Sequence, residues 1–174
     1  MSELQIRDAD SRDGAACAAI YAPHVEGSAV SFEERPPDAA EMAGRIERIA
    51  AAHAWLVGER EGEVIGYAYA YPFQERPAYR WTVGVSVYVA QGEQGRGVGR
   101  ALYAALFDRL RESGFRMAHA GITLPNEASV ALHESMGFEQ VGVNREIGWK
   151  HGAWHDVGWM QRPLGDDGPP AELR

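Results

Sequence analysis

The pattern of hydrophobic and polar positions predicts a central strand, a turn and a helix in the middle of the chain. Val83–Ala90 is an apolar, β-branched run of the kind found in buried strands. The polar, glycine-rich segment Gln91–Gly97 follows it and predicts a turn. Beyond the turn, every fourth position is apolar: Val98, Leu102, Leu106 and Leu110. This spacing predicts an amphipathic helix that buries one face.

The same periodicities predict the elements on either side. The predicted strands are Leu4–Asp8, Ala54–Arg60, Glu63–Tyr71, Met117–Leu124, Phe138–Glu146 and Trp154–Gln161. The predicted helices are Ser11–Val25, Asp38–Ala52 and Asn126–Met136. The last hairpin is expected to turn at Gly148–Gly152. The order β-α-α-β-β-β-α-β-α-β-β indicates an α/β fold, with one domain over residues 1–164 and a disordered tail over residues 165–174.

Two further apolar features are a row of tyrosines on one predicted strand and an apolar centre in one predicted loop. Tyr67, Tyr69 and Tyr71 share one face of their predicted strand, an arrangement more typical of packing than of chemistry. The predicted loop Gly27–Pro37 has an apolar centre at Val30–Glu33, with Phe32 inside it. This loop is expected either to cover a site as a wall or to be tethered by its one aromatic residue.

The glycine-rich turn that precedes the central helix has the features of an anion site. The first N–H groups of a helix have no intrahelical partner, and the helix dipole adds partial positive charge there. Gly95, Gly97 and Gly99 allow close approach of a ligand, and Arg96 and Arg100 add charge. We therefore expect a phosphate or pyrophosphate ligand, the alternative being an ordinary turn.

Two well-known phosphate-binding loops fit this segment poorly. A P-loop requires Gly-Lys-Ser/Thr, whereas Lys150 is the only lysine of the chain. A dinucleotide-binding loop requires G-x-G-x-x-G after the first strand, whereas here the third glycine comes one residue early and the loop follows the fourth predicted strand. The turn therefore indicates another kind of anion site.

Composition and charge narrow the functional classes. The chain has 174 residues, 45% hydrophobic and 24% charged, which are globular values. Its net charge of −8 argues against nucleic-acid or anionic-membrane partners. The single cysteine, Cys17, lies in an alanine-rich run and is expected to be an inert core thiol. With no signal-peptide pattern and no long apolar run, we expect a cytoplasmic protein.

Three stretches carry a resemblance to a known family. Gln94–Gly99 resembles the Q/R-x-x-G-x-G/A loop by which GNAT acetyltransferases bind the pyrophosphate of acetyl-CoA. Leu124–Phe138 resembles the second GNAT signature. Trp149–Trp159, together with the aromatic loop before the central strand, resembles the phosphinothricin and methionine sulfoximine acetyltransferase branch. The resemblance covers roughly residues 4–164.

The resemblance implies a fold and a cofactor. The fold is a mixed, mostly antiparallel sheet flanked by helices and splayed at the central strand. The co-substrate is acetyl-CoA, whose pantetheine arm pairs with the backbone of the splayed strand. Asn126 is expected to contact the cofactor or to cap the short helix, or both. The implied cofactor-binding residues are Val87, Tyr88, Val89, Gly95, Arg96, Gly97, Val98, Gly99, Arg100, Asn126 and Ser135.

The resemblance also implies the catalytic chemistry. Acetyl transfer requires the amine as a free base and a proton for the leaving thiolate. His133 lies where relatives of this branch carry a histidine, and it is either catalytic or a buried structural histidine. Relatives usually carry a glutamate, the proposed general base, at the position of Gly84. The base is therefore expected to be Glu33, Glu75 or His133 through water, unless the amine arrives deprotonated.

For the acceptor, the resemblance indicates the loop before the central strand. An arginine there can bind a carboxylate or phosphinate, although Arg76 can also be merely solvated. The implied substrate-binding residues are Glu33, Phe73, Glu75, Arg76, Gly84 and Val85. No metal is expected, since His151 and His155 have i, i+4 spacing but lie on a predicted hairpin, with no third ligand apparent.

The leading hypothesis is direct transfer of the acetyl group to a small amino-acid-like amine. Two alternatives remain open: acetylation of a protein amino terminus or a polyamine, and a CoA-binding sensor that has lost the chemistry. Relatives pair through their C-terminal strands, which implies a homodimer.

Overall fold

A computed structural model describes residues 3–170 and 172–174. Met1 and Ser2 of the predicted domain and Ala171 of the predicted tail lie outside the described residues. In chain order, the elements are β1 Gln5–Asp8, α1 Gly14–Glu26, α2 Ala39–Ala50, β2 Trp55–Arg60, β3 Glu63–Pro72, β4 Thr82–Val89, α3 Val98–Glu112, β5 Met117–Leu124, α4 Glu127–Ser135, β6 Glu139–Lys150 and β7 Ala153–Pro163. The predicted order of helices and strands is confirmed.

The strands form one sheet with the order β1-β2-β3-β4-β5-β7-β6. Every neighbouring pair is antiparallel except β4 and β5, which are parallel. This is the mixed, mostly antiparallel sheet that the resemblance implied. Strand β6 lies at one edge of the sheet, and the parallel pair lies inside it.

The helices bury both faces of the sheet. Helix α3 packs on one face with its predicted stripe, Val98, Leu102, Leu106 and Leu110, each at most 1% exposed. Helices α1 and α2 cover the opposite face, where Trp55 and the Tyr67 ring are buried. In β3 the small residues Ala68 and Ala70 face α3, while Tyr67 and Tyr69 lie on the opposite face, which they were predicted to share.

Most element boundaries lie within two residues of the prediction, and two larger differences have identifiable reasons. The first helix begins at Gly14 rather than Ser11, because Asp10 and Asp13 form a capping box around a 3₁₀ turn. The predicted turn Gly148–Gly152 is shorter, since β6 continues to Lys150. Gly148 stays within the strand and is covered by the Phe32 ring, whose Cε2 would lie 2.2 Å from a Cβ at Gly148.

The chain after Leu164 has no helix or strand among residues 165–170 and 172–174. Arg116 binds this segment through the Gly165 carbonyl and Asp167, and the Arg174 N–H donates to the Ser113 carbonyl. Disorder of the tail stays a prediction. Within the described part of the chain, no helix has the length and apolar character needed to span a bilayer.

Candidate active site

Strands β4 and β5 separate part of the way along the sheet. They pair only over Thr82–Gly84 and Met117–His119, although β4 continues to Val89 and β5 to Leu124. Beyond the Gly84–His119 pair the strands diverge around a small cavity of about 60 Å³. Its lining includes Ser86, Val87, Tyr88, Gly121, Asn126 and His133. This is the splay that the resemblance implied.

The splayed strand offers unpaired backbone to the cleft. Residues 85–89 pair with β3 on one side only, so their backbone groups on the other side face the gap between β4 and β5. Of the backbone positions expected to bind the cofactor, Val87 and Tyr88 line the cleft, and Val89 follows them in the strand. An extended ligand can therefore add to β4 as a short strand does.

The glycine-rich loop ends at the N-terminus of α3. Gly95 and Gly97 have φ angles of 73° and 82°, a left-handed conformation that favours glycine, and open space surrounds the position of a Cβ at each. Gly97 is the N-cap residue of α3 and has no side chain to cap the helix. The first N–H groups of α3 therefore point toward solvent, as an anion site requires.

The charge around this loop is set by two arginines and one carboxylate. Arg100 is exposed in the first turn of α3, and the Arg96 side chain is 62% exposed. Glu93 forms an ion pair with Arg60 and a longer one, of 3.2 Å, with Arg96. Because Arg60 already neutralises Glu93, positive charge remains near the helix terminus.

His133 lies in the cleft with both ring nitrogens paired. Its Nδ1 lies 2.7 Å from the Ser129 carbonyl oxygen, to which it donates, and its Nε2 lies 3.0 Å from the Tyr103 hydroxyl, which then donates to it. Burial lowers the pKa of His133, and the hydrogen bond to the Ser129 carbonyl offsets part of this decrease. The imidazole is therefore neutral, and Tyr103 holds its free nitrogen.

Tyr103 is a cleft residue that sequence reasoning missed. It belongs to α3, it is fully buried, and its ring also lies against the Phe107 ring at 5.0 Å. Burial raises the pKa of Tyr103 well above its ordinary value, so the phenol stays protonated. The only sequence signal was a tyrosine beside the apolar stripe of α3, which is also typical of packing.

The two remaining candidate residues of α4 have different surroundings. Asn126 caps the helix through its Oδ1, which accepts from the Ser129 N–H at 3.1 Å, and it also lines the cleft. Both readings of Asn126 therefore remain compatible with the structure. Ser135 lies at the exposed end of α4, where its hydroxyl donates to the Leu132 carbonyl. It is not among the residues that line the cleft.

Gly84 is covered by an aromatic ring. Tyr71 lies directly opposite in β3, and a Cβ at Gly84 would lie 2.3 Å from Cε2 of Tyr71 and 2.4 Å from Cζ. The space that a side chain at this position would occupy is therefore filled. Val85, the next residue, points to the α3 side and is buried in the core.

The carboxylate of Glu33 is bound by two neighbouring side chains. Arg45 binds both of its carboxylate oxygens, at 2.6 and 2.9 Å, and the Tyr21 hydroxyl donates to it at 2.9 Å. The bonds to Arg45 hold the pKa of Glu33 below its ordinary value. A carboxylate stabilised in this way is a weak base, so the structure gives no support to Glu33 in that role.

The loop that contains Glu33 is fastened to the end of β6. The Lys150 ammonium is buried and donates to the carbonyls of Val25 and Ser31, at 2.5 and 2.6 Å. Phe32 packs on Gly148, while Val30 lines the cleft. The loop is therefore both tethered by its aromatic residue and part of the wall of the cleft.

The predicted acceptor loop surrounds a larger cavity. Phe73, Glu75 and Arg76 line a space of about 500 Å³ beside β4. Glu75 and Arg76 are exposed, whereas the Phe73 ring packs on the His119 ring with centroids 4.4 Å apart. His119 had not been singled out from the sequence.

Cys17 takes no part in this site. It is buried in α1 among the side chains that face α2. Burial raises the pKa of its thiol to about 12. Because the thiolate is the nucleophilic form, Cys17 is inert, as the sequence predicted.

Comparison with known proteins agrees with this geometry. Residues 6–159 match the Acetyltransferase (GNAT) domain family. The chain is 42% identical over 171 residues to the phosphinothricin N-acetyltransferase of Streptomyces viridochromogenes, covering 98% of this chain and 93% of that protein. It is 36% identical over 168 residues to the L-methionine sulfoximine/L-methionine sulfone acetyltransferase of Salmonella typhimurium, covering 96% of this chain and 98% of that protein.

A solved structure shows the same architecture. The GNAT superfamily phosphinothricin acetyltransferase of Sinorhizobium meliloti, in complex with AcCoA, superposes with a TM-score of 0.93 at 40% identity. The match covers 99% of this chain and 95% of that one. The similarity therefore extends over the whole sheet and both helical layers.

The packing of Tyr71 on Gly84 leads to a stability prediction. We expect Gly84→Ala to lower the free energy of unfolding by about 1–3 kcal/mol, because the new methyl group overlaps the Tyr71 ring. Gly142→Ala is the matched control, since a Cβ there meets no atom within 4 Å. Urea denaturation of both variants measures the difference.

A double-mutant cycle tests the cause. In the Tyr71→Ala background, the Gly84→Ala substitution is expected to lose most of its cost, because the overlapping ring is gone. Additive effects of the two substitutions would show that overlap with the Tyr71 ring is not the cause of the destabilisation.

Proposed function

This chain belongs to the GNAT acetyltransferase family, and we propose that it acetylates the amino group of a small amino-acid-like acceptor of the phosphinothricin or methionine sulfoximine type. The enzyme is an N-acetyltransferase that uses acetyl-CoA as its co-substrate. The observation that carries the proposal is the cleft between β4 and β5, which opens beside the glycine-rich start of α3. It is supported by similarity to acetyltransferases named for such acceptors.

The residues around the cleft suit acetyl-CoA. Gly95 and Gly97 have room for a pyrophosphate, the N-terminus of α3 supplies N–H donors, and Arg96 and Arg100 supply charge. The free backbone edge of β4 at Val87–Val89 suits an extended arm. When bound, acetyl-CoA supplies a thioester as acyl donor. A backbone N–H of β4 near the thioester can polarise its carbonyl.

The acceptor side is built from the loop between β3 and β4. We place the acceptor over this loop, with Arg76 binding its acidic group and Phe73 forming an apolar wall. With no side chain at Gly84 and with Glu33 paired to Arg45, neither residue places a free carboxylate beside the amine. Attack on the thioester by the amine itself is direct transfer, because Cys17 is unsuited to form an acetyl-enzyme.

We further propose that two copies of the chain associate through β6. Strand β6 is an edge strand, and hydrophobic side chains on the last hairpin are 40–58% exposed: Val141, Val143, Ile147, Trp149 and Trp154. An exposed edge of this kind is suited to pairing with another strand. We also assign the enzyme to the cytoplasm, where acetyl-CoA is available and a lone cysteine stays reduced.

The acceptor class is tested by thiol release from acetyl-CoA. The panel contains phosphinothricin, methionine sulfoximine, methionine sulfone, ordinary amino acids, spermidine and a peptide with a free amino terminus. We expect turnover on the first three at a kcat/KM at least tenfold above the others. Preference for spermidine or the peptide would overturn the proposed acceptor, and CoA binding without turnover on any amine would favour a sensor.

The phosphate site is tested with two arginines of the same helix. Arg100→Ala is expected to raise the Kd for CoA about tenfold, which corresponds to about 1.4 kcal/mol, because one charge-assisted contact to phosphate is lost. Arg109→Ala removes the same charge from the far end of α3, where Arg109 pairs with Asp8, and should leave the Kd unchanged. Isothermal titration calorimetry distinguishes the two; equal effects would indicate a nonspecific effect of net charge.

The dimer is tested by sedimentation velocity. The wild-type protein is expected to sediment as a dimer, and Val141→Glu/Val143→Glu as a folded monomer, because the substitutions place charges on the edge strand. The control Leu173→Glu adds charge at a different exposed hydrophobic residue and should leave the dimer intact. A monomeric wild-type protein over the working concentration range would refute the assignment.

A further inference from the structure

His119 lies at the point where the cleft begins. It is the partner of Gly84 in the last residue pair before β4 and β5 diverge. Its neighbours Ala118 and Ala120 are buried on the α3 side of the sheet, and so are Val83 and Val85 on either side of Gly84. Because side chains alternate along a strand, His119 points to the opposite face, the face on which Tyr71 covers Gly84.

The His119 ring is packed but incompletely paired. The Phe73 ring packs on it at a tilt of 33°, the Trp159 ring lies 6.0 Å away between centroids, and Gln161 is its partner in β7. Its Nδ1 is buried without a hydrogen-bond partner among the described residues. A buried polar atom without a partner destabilises the protein, and a bound ligand or water can remove that penalty. The unpaired nitrogen therefore marks a position where a polar group is expected.

His119 adjoins both parts of the proposed site. Gly121, two residues further along the same face of β5, lines the cleft, at a distance of about 6.6 Å along the strand. Phe73, on the other side, lines the acceptor cavity. An imidazole between the two can reach an amine in the cleft directly or through one bound water.

The other groups considered as a base are less suited to the role. Arg45 and Tyr21 bind Glu33, and Tyr103 binds the free nitrogen of His133. Glu75 lines the acceptor cavity but is exposed, and it is not among the residues that line the cleft. Burial raises the pKa of Tyr71, which makes its phenol a poor proton acceptor at neutral pH.

We propose that His119 accepts the proton of the acceptor ammonium. The imidazole takes one proton from the ammonium nitrogen, directly or through one water, and becomes imidazolium. The free amine then forms the N–C bond to the acetyl carbon, and the C–S bond breaks. The second amine proton passes to the leaving thiolate, and His119 releases its proton to solvent, so that protons and charge balance.

The surroundings of His119 keep it neutral in the resting protein. Burial lowers its pKa, and a bond with the Gln161 side chain acts in the opposite direction. The groups that face it are Gly84 from β4, Gln161 and Trp159 from β7, and Phe73 from the loop, none of them charged. The charged residues of the segment between β3 and β4, Glu75, Arg76 and Arg80, are exposed.

The test compares two histidines in the full-length enzyme. His119→Gln is expected to lower kcat by about 10²–10³-fold and to leave the Kd for acetyl-CoA unchanged. The control His53→Gln alters another half-buried histidine that stacks on an aromatic ring, Phe115, and should retain wild-type kcat. Circular dichroism and urea denaturation establish that each variant is folded.

The pH profile separates a proton acceptor from a packing residue. Because the neutral imidazole is the active form and its pKa is lowered, kcat/KM of the wild type should rise with pH, and the midpoint of the rise should lie below the ordinary histidine pKa of about 6.5. This acid limb should disappear in His119→Gln. Added imidazole should restore part of the activity of His119→Ala, since the vacated space fits the ring.

Two outcomes would overturn the proposal. One is a kcat of His119→Gln within threefold of wild type; the other is a lowered kcat with an unchanged acid limb and no rescue by imidazole. The proposal rests on acetyl transfer to an amine, and its failure is distinguishable from a wrong acceptor. If wild type acetylates no amine of the panel, the rate of acetyl-CoA hydrolysis above the uncatalysed background, in which water is the acceptor and also needs a base, is compared between His119→Gln and His53→Gln.

Discussion

The separation of β4 from β5 is the constraint on which the rest of the site depends. Each strand keeps one partner, β3 for β4 and β7 for β5, so the sheet remains intact while a gap opens within it. The backbone groups along the gap still need hydrogen-bond partners. The gap therefore suits an extended ligand that can pair with this backbone, and the glycine-rich start of α3 suits a charged group at the end of such a ligand.

Much of the fold follows from local patterns. The strand–turn–helix unit from Val83 to Glu112 was predictable because apolar periodicity, glycine chemistry and helix N-terminal electrostatics act over short distances in the chain. The position of the turn between β6 and β7 was not predictable. The pattern indicated a turn at Gly148, whereas the Phe32 ring, supplied by a distant loop, keeps that glycine in a strand.

The chemistry of the site depends on contacts that no local pattern contains. The sequence predicts Glu33 as one candidate base, whereas in the folded protein Arg45 binds both of its carboxylate oxygens. His133 was expected in the cleft, yet its partner Tyr103 lies 30 residues away in the chain. His119 looked like an ordinary strand residue, and only the register of the parallel pair places it beside Gly84. In each case the partner determines whether the side chain can exchange a proton.

The burial of Lys150 matters because the enzyme binds acetyl-CoA, an activated thioester that can acetylate amines. Acetyl-CoA can modify accessible lysine amines without any catalyst, and lysine is the usual target of protein acetylation. Here the only lysine of the chain is 7% exposed, and two backbone carbonyls hold its ammonium group. The other basic side chains that could carry surface charge are arginines, which do not react in this way. The folded enzyme therefore exposes no lysine amine to acetyl-CoA. Uncatalysed acetylation of lysine side chains on its own surface is avoided.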